Sequence, residues 1–297
     1  MPVATIGILQ HVSIVLKDLE GARHLFRDIF GLSEAKYLES PDGPAYAFRT
    51  GKTVLRVVTP KAAEASLGRR GLHHLTFRVE SLARTRERLK KAGISILSSA
   101  PPGPNGRPAL WADPANTIGI LLQFVEQGDP LEFSPVPTGG VIDRMDHLGV
   151  VCRDREVARR VYVEGLGFPL ESSQPDTEAI VPSGGIPTHF ITIGEFELEI
   201  MQPTSSVRLE APLGSIPKTP RQDQTTLARY LERRGEGLIH ICFKTLEIQQ
   251  ALDTVAVRGV KLIDPIGRPG GRAGSIAFLD HKSTQNILFH FVQRTPR

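Results

Sequence analysis

Three histidines, His147, His240 and His290, each stand inside a short apolar run in the C-terminal half of the chain, and Glu199 stands in a fourth such run. Singly, a histidine in an apolar run reads more readily as a hydrogen-bonded core or rim residue than as a ligand. Together they ask for another reading. Strand alternation puts Glu197, Glu199 and Met201 on one face of their strand, His240 with Cys242, His147 with Gly149 and Val151, and His290 with Leu288. If the runs belong to repeated units of one sheet, these side chains point into a shared hollow. Imidazole nitrogens with a carboxylate suit a first-row divalent cation, and fewer than six protein ligands leave room for substrate.

The elements that must position them repeat. Gly71-Leu72-His73-His74-Leu75-Thr76-Phe77 has a near-copy in Gly237-Leu238-Ile239-His240-Ile241-Cys242-Phe243, and each leads into a helical stretch and then a glycine with a β-branched run. Two further runs, 8–16 with His11 and 145–152 with His147, open the same pattern. Asp18 is a helix N-cap followed by Leu19, Ala22, Phe26 and Ile29 at helical spacing, and Gly31 stops that helix. Helices are expected over 82–92, 155–164, 226–233 and 248–257. Strands are expected over 45–49, 53–58, 118–124, 188–193, 196–201, 275–279 and 286–292, with shorter ones near Ile94 and Leu110. The chain therefore holds four β-α-β-β-β units in two pairs. We expect an N-terminal module over 1–127, a Pro/Gly-rich linker over 128–142 and a C-terminal module over 143–297. Residues 203–234 have no counterpart in the first half, and a long insertion beside a site serves as a lid or recognition element.

Hydrophobic content of 40% and charged content of 23% are those of a globular protein with a real core. The net charge of +4 is spread along the chain, so nucleic acid is not expected as a partner, although a basic excess suits an acidic small molecule. Cys152 and Cys242 read as reduced core residues of a cytoplasmic protein. No signal-like or membrane-spanning stretch is recognised. The paired glycines at 139–140, 184–185 and 270–271 form no phosphate loop, and no nucleophile elbow is present. Arg229, Arg233 and Arg234 read as a solvated helix face, and Trp111 and Phe124 as core.

The doubled β-α-β-β-β unit, with a histidine on its first strand and Gly-Leu-Ile-His-Ile-Cys opening its second half, resembles the vicinal oxygen chelate superfamily of glyoxalases, bleomycin resistance proteins, extradiol dioxygenases and methylmalonyl-CoA epimerases. The second half is most similar to the epimerases, through Asp146-His147-Leu148-Gly149-Val150, Leu198-Glu199-Ile200-Met201-Gln202-Pro203, the segment 230–241 and Phe278-Leu279-Asp280-His281-Lys282-Ser283-Thr284. The resemblance implies an α+β fold of two tandem modules, each a cupped mixed sheet. It places His147, Glu199 and His240 at the first three metal-ligand positions and His290 where the family carries a glutamate. The family associates proton transfer with that glutamate and with another on the third strand. No carboxylate stands there, so His189 is assigned that role, with Glu197 as the alternative. In the first half His11 and His74 match ligand positions, but Arg56 and Gln123 replace the other two. A guanidinium cannot ligate a cation, so that half is expected to be metal-free and to shape the substrate or the fold.

The expectation is one divalent ion (Mn, Co, Zn, Ni or Fe) in a metal-dependent isomerase or lyase. Such an enzyme would chelate neighbouring oxygens of a small organic acid or acyl thioester and stabilise an enolate. An iron-dependent extradiol-type dioxygenase is the alternative, and a non-catalytic small-molecule binder of the resistance type is the third reading. A homodimer is left open beside a monomer.

Overall fold

The structure is a computed structural model that describes residues 4–35, 38–40, 43–62, 67, 71–103, 106–128, 131–174, 186–203, 224–270 and 274–294. Side-chain oxygens start the helices, at the expected Asp18 and also at Ser81 and Asp154. Asp18 accepts from the Gly21 N–H, Ser81 from Arg84 and Asp154 from Glu156, each closing one otherwise unsatisfied donor of a first turn. The helices begun are α1 (Leu19–Arg23), α2 (Leu82–Lys91) and α3 (Arg155–Ala158). Two of them differ from the expected uninterrupted helices: α1 runs into a π-helical turn over His24–Ile29, and α3 into another over Arg159–Gly165. The wider turn shows in the bonds Phe30 N–H to Leu25 O and Leu166 N–H to Val161 O, each spanning five residues. α4 (Gln224–Arg234) and α5 (Ile248–Val257) follow.

The strands form two eight-stranded sheets. The first contains β1 (Ile8–Val15), β2 (Ser33–Glu34), β3 (Leu38–Ser40), β4 (Gly43–Thr50), β5 (Thr53–Val58), β6 (Gly71–Arg78), β7 (Ala109–Ala112) and β8 (Leu121–Val125). Its order is β2-β4-β5-β1-β6-β8-β7, with β3 on β4. The second contains β9 (Arg144–Val151), β10 (Leu170–Gln174), β11 (Thr188–Ile193), β12 (Phe196–Met201), β13 (Gly237–Lys244), β14 (Arg268–Pro269), β15 (Gly274–Phe278) and β16 (Leu288–Arg294), in the order β10-β11-β12-β9-β13-β16-β15-β14. In each sheet the opening strands of two units pair antiparallel at the centre, β1 with β6 and β9 with β13. Each opening strand is flanked by a parallel partner, β5, β8, β12 or β16. The result is a pair of tandem curled mixed sheets with few helices, an α+β fold. The strand expected near Ile94 is reduced to one bridge, Ile96 to Ala112.

Alternation sorts each sheet into two faces. Val12, Ile14, Leu75, Phe77, Leu122 and Phe124 of the first sheet, and Leu148, Val150, Ile191, Leu198, Ile200 and Ile241 of the second, enter one continuous core with the helices. That core joins the halves. Phe30 of the first contacts Phe243 and Phe289 of the second at ring separations of 5.7 and 5.4 Å, and Phe77 contacts Phe168 at 5.4 Å. The opposite faces form two cups. The Pro/Gly-rich connection is no free tether, because Phe133 bridges to Ala35 and lies under Arg49, 4.2 Å from ring centre to guanidinium.

Within the insertion at 203–234, residues 204–223 lie outside the described part. The helix α4 covers the second cup: Leu227 and Leu231 bury against Val151 and Met201, contributing about 2 kcal/mol each on burial. Among the described residues no helix is long and apolar enough to cross a membrane.

Candidate metal centre

Four of the histidines follow a bulged residue, and the bulges aim them. Register slips by one between Cys242/His147 and Phe243/Met145, which leaves Asp146 as the extra residue in β9. A second slip leaves Ile239 extra in β13, directly before His240. In the first sheet the extra residues are Gln10, before His11, and His73, before His74. A bulge bends its strand and re-aims the next side chain. The sequence carries no local mark of it, because a bulge is defined by the partner strand.

In the second cup His147, Glu199 and His240 meet. Glu199 Oε2 lies 3.3 Å from His147 Nε2 and 3.5 Å from His240 Nε2, and one donor atom of each falls within a 4.8 Å group. Ligand atoms about 2.1 Å from a shared ion stand about 3 Å apart, so these separations fit. Gly149 makes the approach possible. It pairs with Glu199 on one side and His240 on the other, and a Cβ there would fall 2.1 Å from His240 Cε1. Glu199 Oε2 and both ring nitrogens of His240 are buried without a hydrogen-bond partner among the described residues. Buried polar atoms are rarely left so unless a ligand completes them.

His290 adjoins this trio. Its Nε2 is 3.1 Å from His147 Nε2, and its ring centre lies 4.6 Å from that of His240. With His147 it shares a second donor group, completed by Cys242. Cys242 was read as core. It is fully buried but on the cup side, opposite His147 in the β9–β13 register, and its shared phase with His240 was the signal that could have marked it. Burial pushes its thiol up to about 12.

The electrostatics are those of a site built for positive charge. Burial opposes a charge on His147, but the Glu199 carboxylate and the Asp146 hydrogen bond act against it, and its pKa is held well above the ordinary value. Burial works against the Glu199 carboxylate too, yet His147 and His240 hold its pKa well below the usual range. His240 and His290 are pushed down, chiefly by burial. Asp146 fixes the ring of His147: its Oδ1 accepts from Nδ1 at 2.8 Å, and Arg294 donates to both of its oxygens. With Nδ1 so engaged, Nε2 faces Glu199 and His290, the outer-shell arrangement that orients metal-binding imidazoles.

The two residues assigned to proton transfer part company. Glu197 shares the cup face with Glu199, and its Cα pairs with that of His147. His189 does not reach the cup. It pairs with Ile200 on the helix side, is 4% exposed at its side chain, and bonds Glu156 of α3 through Nε2 at 2.9 Å. The reason is phase: His189 alternates with Ile191 and Ile193, which enter the core, while Thr188, Phe190 and Thr192 take the cup face. The structure thus does not bring His189 to the trio, and its phase with Ile191 and Ile193 is legible in the sequence.

The first cup holds His11, Ser13, Arg56, His74, Thr76 and Gln123, all buried. The register makes them counterparts of His147, Gly149, Glu199, His240, Cys242 and His290.

Residues 10–111 and residues 144–286 each match the family described as the Glyoxalase/Bleomycin resistance protein/Dioxygenase superfamily. The chain is 31% identical over 130 residues to an ethylmalonyl-CoA/methylmalonyl-CoA epimerase of Cereibacter sphaeroides, spanning 40% of this chain and 97% of that one. It is 27% identical over 133 residues to the mitochondrial methylmalonyl-CoA epimerase of Mus musculus, spanning 41% of this chain and 75% of the relative. Among solved structures, a mutant 4-hydroxymandelate synthase from Streptomyces coelicolor superposes with a TM-score of 0.66 at 14% identity, across 98% of this chain and 94% of that one, a likeness of fold.

Proposed function

Because the chain belongs to the glyoxalase/bleomycin resistance/dioxygenase superfamily, we propose that it is a metal-dependent enzyme. In this reading His147, Glu199 and His240 hold one divalent ion, with His290 beside them. The observation that carries it is the orphaned pair of buried atoms, Glu199 Oε2 and His240 Nε2, within one donor group with His147. A divalent ion bound there supplies Lewis-acid stabilisation of negative charge building on paired substrate oxygens.

The reaction we propose is isomerase or lyase chemistry on a small organic acid or acyl thioester, and the relatives named as acyl-CoA epimerases support that substrate class. Glu197 takes the proton from the carbon beside the carbonyl, being the acid on the cup face nearest in register to His147. Asp146 keeps His147 in its binding tautomer, and Leu227 and Leu231 of α4 roof the cup against water. A second reading, oxygen-dependent ring cleavage, is favoured by one observation: the trio is two imidazoles and one carboxylate, the set that holds ferrous iron with open positions.

Metal analysis of the purified protein, with solvent-deuterium exchange into organic acids and acyl thioesters, tests this. Manganese, cobalt, zinc or nickel with exchange is expected. Iron with oxygen uptake on catechols transfers the assignment to the second reading, and a protein that takes up no metal is a binder.

A further inference from the structure

The first cup is the second one with its charge inverted. Arg56 stands in the place of Glu199 and Gln123 in the place of His290, while the histidine pair is kept as His11 and His74. The pair is also spread wider: ring centres are 6.1 Å apart, against 5.4 Å for His147 and His240. Ser13 adds a hydroxyl where the second cup has Gly149.

We propose that the first cup is a binding site for a small oxyanion, a carboxylate or phosphate group. Its polar atoms are buried and unmatched. His11 Nε2, Ser13 Oγ, His74 Nε2 and Gln123 Nε2 are all buried without a hydrogen-bond partner among the described residues. Their residues are at most 7% exposed, and leaving such groups unmatched is unfavourable. Ser13 and Gln123 offer donors, and each imidazole Nε2 donates in its Nε2–H tautomer. Gln123 has its oxygen taken by the Thr76 hydroxyl at 2.8 Å, so the amide N–H groups remain. The serine hydroxyl turns freely to donate. His74 meets His73 through Nδ1 at 2.7 Å, which leaves Nε2 to face the cup. Arg56, which pairs with Ser13 in register, adds a guanidinium, and its charge adds to the burial that depresses both histidines. Among the described strands no carboxylate shares this face, so the complement is an acceptor with negative charge. The same apolar scaffold thus presents a cation site in one half and an anion site in the other.

The full-length protein, metal content unaltered, is titrated separately with inorganic phosphate and with acetate, followed by calorimetry and by the ring resonances of His11 and His74. Saturable binding of either is expected, with those resonances shifted, and the anion that binds identifies the group. Ser13→Ala and Gln123→Leu each weaken it about tenfold or more. Ser13→Ala is nearly isosteric and keeps the fold. Glu199→Gln in the other cup leaves the affinity unchanged, so failure of the metal assignment does not touch this result. The proposal is overturned if neither anion moves the two rings, or if Ser13→Ala and Gln123→Leu both bind as the unaltered protein does.

Discussion

Asp146 Oδ1 accepts a 2.8 Å hydrogen bond from Nδ1 of its neighbour His147, a contact open to adjacent strand residues only because Asp146 is the bulged position of β9. Arg294 holds the carboxylate from the far side. Removing the carboxylate frees the ring to rotate and to exchange tautomers. Asp146→Ala should therefore weaken divalent-metal binding about 10–100-fold, measured by competition with a chromogenic chelator. Asp146→Asn, which keeps an acceptor oxygen, should fall between. Unchanged affinity in both variants would remove Asp146 from the site.

Gly149 supports two of the proposed ligands at once, since Glu199 and His240 flank it in register. A methyl group there would collide with the His240 ring, 2.1 Å from Cε1. The neighbouring atoms belong to the fully buried ring of His240. Gly149→Ala should abolish stoichiometric metal uptake and destabilise the fold by about 1–3 kcal/mol, as overpacking does. Metal content by mass spectrometry and a denaturation midpoint check both parts. A variant that still binds one ion per chain would show that His240 is not a ligand.

Much of this centre was legible in the residues, and the limits are physical. The side of the sheet that Glu199 takes is legible because period-two alternation in an apolar strand is a local property: Leu198 and Ile200 enter the core, so Glu199 leaves it. The same rule applied to Ile191 and Ile193 would have sent His189 to the helix side, where Glu156 waits on α3. The four bulges were illegible because each is a mismatch between two strands distant in sequence. A thiol between apolar neighbours has the composition of core whether it faces core or cup, so only its shared phase with His240 marks Cys242.

Acid should unsettle the first half. Burial lowers His73 to about 4, and holds His11 and His74 well below their ordinary value, with Arg56 adding to both. A base depressed in the folded state is protonated first in the unfolded chain, so stability rises with pH through this window. The contribution is whole above the unfolded value near 6.5 and drains as pH falls toward 4. His73 alone should account for a loss on the order of 2 kcal/mol by about pH 5. Denaturant unfolding at about pH 7.5 and about pH 5, with a chelator present throughout, should show a smaller drop for His73→Asn than for the unaltered chain. Equal drops would mean that His73 titrates normally.

His189 and Glu197 make opposite predictions from neighbouring strands. Glu197 faces the cup; His189 faces α3 and holds Glu156 at 2.9 Å, where His189 and Arg159 together keep the Glu156 pKa low, Arg159 more strongly. Glu197→Gln keeps size and hydrogen bonding but removes the base. It should retain full metal content and lose about 10²–10⁴-fold in kcat. His189→Gln should leave kcat and metal content as they are and lower stability on the order of 1 kcal/mol, the worth of one hydrogen bond. Steady-state kinetics beside thermal unfolding separates the two. If His189→Gln silences turnover while the protein stays folded and metal-loaded, the proton route runs through the helix side of the sheet, and the cup-face assignment of Glu197 falls with it.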